Sequence, residues 1–139
     1  SAPSIKQVQK ADSEDIQKIA KEIQQYDEAY HLADKSDDIK ELYEQFRDSI
    51  LGLTTDLEVH PKKMYIAFRK GKRNYVYMSI GTKQIRIWLN MPFNQLDDPK
   101  QIANDVTNVG HWGNSDCEVI VSDTENLEYI LSLIKQTLK

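Results

Sequence analysis

Three consecutive runs of alternating side chains in the middle of the chain constrain its fold more than any other feature. They span residues 64–69, 75–80 and 85–90, and short connections that contain Gly71 and Gly81 separate them. A period of two places successive side chains on opposite faces of a strand, and short glycine-containing connections are typical of hairpins. The pattern therefore predicts three antiparallel strands with one aliphatic face.

The other face of this predicted sheet combines aromatic and basic side chains. These side chains are Tyr65, Arg69, Tyr75, Tyr77, Arg86 and Trp88. Rings interleaved with guanidinium groups on a sheet can stack bases and neutralise phosphates, as in sheet-type proteins that bind single strands. The alternative is that a helix or a second subunit covers this face, with tyrosine and tryptophan as packing residues. Packing is the commoner role of aromatic side chains, and both interpretations remain open.

Charge is distributed unevenly along the chain. Residues 59–95 contain no acidic residue, whereas the rest of the chain carries all 22 acidic residues and only ten of the 18 basic ones. The eight basic residues of this segment are Lys62, Lys63, Arg69, Lys70, Lys72, Arg73, Lys83 and Arg86. The net charge of −4 thus conceals a basic segment, and this asymmetry favours an anionic partner. The acidic flanks weigh against tight binding to duplex DNA, because they repel phosphate groups at short range.

Length and composition narrow the class of protein. A chain of 139 residues fits one domain with its own hydrophobic core. Its single cysteine, Cys117, cannot form an internal disulfide, which favours a reducing compartment. No apolar run approaches the length of a membrane span and no secretory signal is visible, so we expect a cytoplasmic protein without a membrane partner. Because the chain begins Ser-Ala-Pro-Ser, without methionine, we expect it to be a piece of a larger protein.

Helical periodicity flanks the predicted strands. Residues 13–31 predict an acidic amphipathic helix, and residues 36–53 predict a second helix with Ser36 as its cap. Near the C-terminus, residues 117–122 alternate as a further strand, and a capping box at residues 122–125 predicts a final amphipathic helix. Between these elements, Pro99 preceded by Asp98 predicts a short helix over residues 100–104.

This order of elements predicts an α+β fold. We expect an antiparallel sheet of about four to five strands, packed with N-terminal and C-terminal helices. Residues 1–35 are interpreted as a polar N-terminal segment with the acidic helix, and residues 36–139 as a single α+β domain.

The sequence offers little catalytic chemistry. The central strands lack the carboxylates that a metal-dependent nuclease needs, and the chain has no glycine-rich phosphate loop and no cysteine or histidine pairs at zinc spacing. We therefore assign no catalytic residue, metal or cofactor. His111, Asp116 and Cys117 form the only compact set with acid–base or nucleophilic potential. We expect Cys117 to be a small buried core residue, and His111 and Trp112 to fix their loop, with ligand contact as the alternative.

Several motifs together resemble a known family. They are the loop Gly-His-Trp-Gly-Asn-Ser-Asp at 110–116, Pro-Lys-Lys-Met-Tyr-Ile-Ala-Phe at 61–68, Leu-Asp-Asp-Pro at 96–99, and the C-terminal residues 127–136. This combination closely resembles the bacterial and archaeal family called domain of unknown function 5655, over roughly residues 30–139. The usual family loop has glycine where Ser115 stands, so a positive backbone dihedral is in doubt there.

The resemblance implies a role by association. Members of this family look like C-terminal modules of larger proteins. Some stand beside predicted nuclease or restriction-type domains, and some carry a transport label. This context implies nucleic-acid processing, which is an inference from neighbouring domains and not from a site.

Three hypotheses follow from the sequence. The first is a non-catalytic accessory module that binds nucleic acid or another anionic ligand. Its candidate ligand-binding residues are Lys62, Lys63, Tyr65, Arg69, Tyr75, Tyr77, Arg86, Trp88, His111, Trp112 and Asn114. The second is a protein-interaction module, in which the aromatic face is buried against a second copy or an upstream domain. The third is a hydrolase that uses the loop around His111.

Overall fold

The computed structural model describes residues 26–110 and 112–139 of the chain. The predicted helix over residues 13–31 lies mostly outside the described residues. The described helices are α1 (Glu28–Leu32), α2 (Asp37–Leu51) and α3 (Leu127–Thr137), with a short 3-10 helix at Phe93–Gln95. The described strands are β1 (Glu58–Pro61), β2 (Ile66–Lys70), β3 (Arg73–Ile80), β4 (Ile85–Leu89), β5 (Asn104–Asp105) and β6 (Cys117–Val121).

The fold is α+β, as the sequence predicts. The strands form one sheet in the order β1-β2-β3-β4-β6-β5, and every neighbouring pair is antiparallel. β6 therefore lies between β4 and β5, although it is the last strand in the chain. The sheet has six strands instead of the expected four to five. The fifth expected strand, a short one over residues 57–60, corresponds to β1, and the sixth is the two-residue strand β5, which pairs with β6 at the edge.

The segment before β5 corrects one prediction. Residues 100–104 do not form a helix. Instead, the Asp98 carboxylate accepts a hydrogen bond from the Ala103 amide at 2.8 Å, and Gln101 adopts a positive φ of 55°. Asp98 thus closes a loop instead of capping a helix. The capping box at residues 122–125 is also wrong, because α3 begins at Leu127 and the Glu125 amide donates to Asp123.

The aliphatic face of the sheet packs against α2 and α3. The predicted cap of α2 is confirmed, since the Ser36 hydroxyl accepts from the Ile39 amide at 3.2 Å. The buried residues of α2 recur at helical spacing and are Ile39, Leu42, Tyr43, Phe46 and Ile50. They join one cluster with the apolar side chains of α3 and of strands β2, β3, β4 and β6. Each large side chain fully buried in this way contributes about 1.5–3 kcal/mol to folding.

Helix α1 is short and is held by polar contacts. Asp27 has an extended backbone and its side chain accepts from the Tyr30 amide, so Asp27 caps α1, which begins at Glu28. The Glu28 carboxylate accepts from the Tyr43 hydroxyl at 2.5 Å and pairs with Arg47 at 3.0 Å. This contact joins α1 to α2.

A bulge in β3 changes the direction of one tyrosine. Phe68 pairs with Val76, but Arg69 pairs with Asn74, which leaves Tyr75 as the extra residue. Tyr75 packs against the main core, and the Arg73 guanidinium lies 5.0 Å from its ring centre. The prediction that Tyr75 shares a face with Tyr77 is therefore wrong.

Across residues 26–110 and 112–139, the structure contains no helix whose length and hydropathy match a membrane span.

Candidate functional site

Four aromatic residues meet on the face opposite the aliphatic core. Tyr77 on β3 pairs directly with Trp88 on β4, and Tyr65 precedes β2. The rings of Tyr65 and Tyr77 are 5.0 Å apart in an edge-to-face arrangement, and those of Tyr65 and Trp112 are 4.8 Å apart. Such geometries are favourable for aromatic pairs beyond the area they bury. We call these four residues the aromatic cluster.

The chain's own loop, residues 106–116, covers the centre of this cluster. Trp112 and Val106 come from this loop and pack with Tyr77 and Trp88. As a result, only 7% of Tyr77 and 6% of Trp88 is exposed. Neither a helix nor a second subunit is needed to cover them, in contrast to the alternative considered from the sequence. Tyr65 and Trp112 remain half-buried, so they are the members of the cluster that a ligand can reach.

The loop is shaped by contacts around Trp112. Both the amide and the hydroxyl of Ser115 donate to the Trp112 carbonyl, and the Asp116 carbonyl accepts from the Val106 amide at 2.9 Å. Gly113 has a positive φ of 56°, whereas Ser115 does not, so the serine fits where the family usually has glycine. His111 lies outside the described residues.

Cys117 is a core residue, as the sequence predicts. Its side chain is fully buried and its thiol contacts the Met91 carbonyl at 3.5 Å. Burial, together with the nearby Asp116, raises the pKa of the thiol to about 12. A thiol with this pKa carries almost no nucleophilic thiolate at neutral pH. Within the described ranges, no three histidine, cysteine or acidic residues are grouped as metal ligands.

The eight lysine and arginine side chains of residues 59–95 have no carboxylate partner among the described residues. Elsewhere basic residues do pair with acids, as Arg47 does with both Glu28 and Asp48. Even Glu58, which lies opposite Arg69 in the sheet register, pairs with His60 instead. The Arg69 guanidinium donates to the Gly71 carbonyl at 2.9 Å and pairs with no carboxylate in the part of the chain that the structure describes.

Some of the predicted residues lie beside the aromatic cluster. Lys62 and Lys63 are exposed in the connection between β1 and β2, and the Lys62 amide donates to the Tyr65 carbonyl at 2.7 Å. These two lysines also line a cleft of about 610 Å³ against β1. Burial raises the pKa of the Tyr65 hydroxyl, and the positive charge of nearby Arg69 opposes this shift.

Other predicted residues lie elsewhere. Arg86 is exposed on the same face as Trp88, two residues before it on β4, and it pairs with Ser79. Asn114 lines a separate polar cleft of about 350 Å³, with Arg73 and Asn90. Tyr75 belongs to the main core, as described above.

The structure places one of the predicted residues, Arg86, in a group of polar residues whose other members are not predicted from the sequence to bind a ligand. Ser79, Thr82, Lys83 and Gln84 join Arg86 around a cavity of about 440 Å³ at the hairpin between β3 and β4. The signal in the sequence is Gly81-Thr82-Lys83, which by itself indicates only a turn.

Fold and surface together define a small α+β domain whose sheet carries aromatic and basic side chains on one face. The chain belongs to the family described as domain of unknown function (DUF5655), which it matches over residues 28–137. It is also 50% identical, over its entire length, to an uncharacterised protein of Haemophilus influenzae. It spans 45% of that relative's length. No solved structure matches the chain.

Proposed function

We propose that this domain is a non-catalytic accessory module that binds single-stranded nucleic acid. The binding surface consists of Lys62, Lys63, Tyr65, Arg69, Arg86 and Trp112, and we call it the basic–aromatic surface. One observation carries the proposal: the eight lysine and arginine side chains of residues 59–95 have no carboxylate partner among the described residues, and one of them, Arg69, lies near the half-buried ring of Tyr65. Unpaired cations beside accessible rings match the two needs of a single strand, which are phosphate neutralisation and base stacking.

The four rings of the aromatic cluster have two roles: one pair is buried support and the other pair is accessible to a ligand. Tyr77 and Trp88 are buried and serve as the support, whereas Tyr65 and Trp112 are half-buried and expose part of their rings. Stacking of a base on an accessible ring contributes about 1–3 kcal/mol and tolerates any base. The surface therefore favours binding without strict sequence preference.

Acidic residues on the strands that flank β2, β3 and β4 favour a single strand over a duplex. Glu58 lies on β1, where it pairs with His60, and Glu118 lies on β6, opposite Trp88. These carboxylates repel phosphates that a wide duplex would bring over β1 and β6. A single strand can follow the basic residues and avoid them.

A place beside another domain in a longer protein would fit this proposal. The chain spans less than half of its relative, so an accessory module beside another domain is a natural arrangement. An upstream nuclease or restriction-type domain in the cytoplasm would supply the catalysis that this module lacks. Cytoplasmic placement is consistent with the free thiol of Cys117.

Fluorescence anisotropy with labelled single-stranded DNA, duplex DNA and RNA, over a series of salt concentrations, tests the proposal. We expect Tyr65→Ala to weaken single-strand binding by about tenfold or more, because it removes a stacking ring. Tyr75→Ala is the matched control, since Tyr75 packs on the opposite side of the sheet, and its folding is checked by circular dichroism.

The electrostatic part of the proposal has its own test. Replacing Lys62 and Lys63 by alanine should reduce the salt dependence of binding, by about 0.7 in the logarithmic slope for each phosphate that the protein no longer neutralises. Lys135→Ala, an exposed lysine on α3, should leave the slope unchanged. If the unaltered domain binds none of the three nucleic acids at low salt, the proposal is wrong.

A protein-interaction module is the second candidate, and one observation favours it. Met64 and Ile120 are large hydrophobic side chains with 61% and 41% exposure, and Ile120 lies opposite Arg86 on the same face. Protein interfaces are enriched in methionine, arginine and aromatic residues, and exposed apolar side chains beside such residues favour an interface. A concentration-dependent dimer in sedimentation experiments, lost in Ile120→Glu, would support this candidate.

A further inference from the structure

The hairpin that joins β3 and β4 lines an open cavity whose side chains are all polar. The cavity has a volume of about 440 Å³ and is lined by Ser79, Gly81, Thr82, Lys83, Gln84 and Arg86. This volume lies within the usual range for small-molecule sites. The hairpin is closed by a hydrogen bond from the Gly81 amide to the Gln84 carbonyl at 2.8 Å. A β-carbon at Gly81 would stand 2.8 Å from that carbonyl oxygen, so glycine is required for this turn.

Every side chain in this lining can donate a hydrogen bond, and none is a carboxylate. Two of them, Lys83 and Arg86, are exposed cations without a carboxylate partner among the described residues. Ser79 pairs directly with Arg86 across the hairpin, so its hydroxyl and the guanidinium rise from the same face of adjacent strands. Hydroxyl, amide, ammonium and guanidinium donors without an acid are the environment that a phosphate group requires.

We propose that this hairpin cavity is a phosphate-binding subsite. Arg86 is the principal ligand, because its planar fork can donate two parallel hydrogen bonds to phosphate oxygens. Lys83 supplies a second positive charge from the tip of the hairpin, and Ser79 and Thr82 supply hydroxyl donors. The phosphate can be part of a nucleic-acid strand or of a free nucleotide.

The subsite is continuous with the basic–aromatic surface. Tyr65 immediately precedes Ile66, which pairs with Met78 on β3, and the next residue of β3, Ser79, pairs with Arg86 on β4. Two strand spacings, about 10 Å, separate β2 from β4 across the sheet. The inference rests on the proposed function in one respect: a strand stacked on Tyr65 would place one of its phosphates in this cavity.

Nuclear magnetic resonance titration of the amide signals tests the subsite with three probes. Inorganic phosphate and thymidine 5′-monophosphate should both shift the amides of Ser79, Thr82, Lys83 and Arg86, and thymidine without phosphate should not. Arg86→Gln should weaken these shifts by about tenfold or more, because it removes a charged hydrogen-bond donor. Arg86→Lys should restore part of the affinity, since it keeps the charge and loses the fork. Lys135→Gln is the matched control for the loss of one positive charge.

The outcomes separate this inference from the proposed function. If thymidine shifts the hairpin amides as strongly as its monophosphate, or if Arg86→Gln binds phosphate like the unaltered domain, the subsite is wrong. If phosphate binds at the hairpin while single-stranded DNA does not bind the domain at all, the subsite stands as a nucleotide site and the proposed function fails. Single-strand binding that depends on Tyr65, without phosphate shifts at the hairpin, overturns the subsite alone.

Discussion

The hydroxyl group of Tyr77 lies 3.1 Å from the position that a β-carbon on Gly113 would occupy. Gly113 also has a positive φ of 56°. These two facts connect the loop over residues 106–116 to the sheet at one point, where only glycine satisfies both the backbone conformation and the close approach. Because Gly113 has no side chain, the loop can approach the Tyr77 hydroxyl closely and pack on the aromatic cluster.

Replacing Gly113 by alanine should therefore destabilise the domain. We expect a loss of about 1–2 kcal/mol from the left-handed backbone alone, and more if the tyrosine has to move. Urea denaturation followed by circular dichroism measures the change. Gly110→Ala is the control in the same loop, because nothing lies within 4 Å of its added carbon and its φ is not in the left-handed region. Equal losses in the two variants would contradict the assignment.

Cys117 should resist alkylation in the folded domain. Its thiol is buried and its pKa is about 12, so the reactive thiolate is scarce at pH values near neutrality. We expect iodoacetamide to modify the native protein only at the rate of unfolding, and the denatured protein rapidly. Mass spectrometry after timed quenching gives both rates. Rapid native modification would show that the thiol is accessible and would reopen a nucleophilic role.

The imidazole of His31 should make stability depend on pH. Burial lowers the pKa of His31 below its ordinary value of 6.5, although the hydrogen bond to the Lys62 carbonyl opposes this shift. The unfolded chain then binds more protons than the folded one below about pH 6.5, so stability falls as the pH drops through this window. The denaturation midpoint of His31→Gln should fall less over the same range. Parallel decreases in both proteins would assign the effect to other groups.

The two tryptophans of the chain should differ in accessibility. Trp88 is almost fully buried, and its indole nitrogen has no hydrogen-bond partner within the described structure, so phenylalanine would lose no such bond there. Trp112 is half-buried at the surface. We expect acrylamide to quench the emission of Trp88→Phe, which retains Trp112, more strongly than that of Trp112→Phe. A single-stranded oligonucleotide should quench the same variant if the basic–aromatic surface binds it.

Most of the sheet is predictable because its side chains follow a regular period. The alternation in residues 64–69 and 85–90 places Phe68 and Ile87 in the core, as observed, and the helical spacing of Phe46 and Ile50 does the same for α2. Strand β5 is not predictable in this way, because its two residues, Asn104 and Asp105, are too short for a period to show. Its pairing depends on contacts with β6, which are distant in sequence.

The sequence predicts which types of residue form the basic–aromatic surface, and it does not predict how these residues are arranged on the sheet. In the sequence, Tyr75 continues the alternation of the residues that follow it. The bulge opposite Arg69 turns its side chain to the other side of the sheet. The alternation of residue types alone does not reveal such a bulge. Trp112 is expected to pack in its loop, yet its position over Tyr77 depends on where the loop crosses the sheet. That crossing is a long-range contact, which no local pattern encodes.

The position of β6 has a consequence for how the domain is made. Until residues 117–121 leave the ribosome, β4 remains an open edge, with Ile85, Ile87 and Leu89 on one side and a row of unpaired amides and carbonyls. Such an edge is a template for pairing with another chain. Synthesis must therefore pass through a stage with an aggregation-prone strand, and a fragment that ends before Cys117 is expected to precipitate instead of folding.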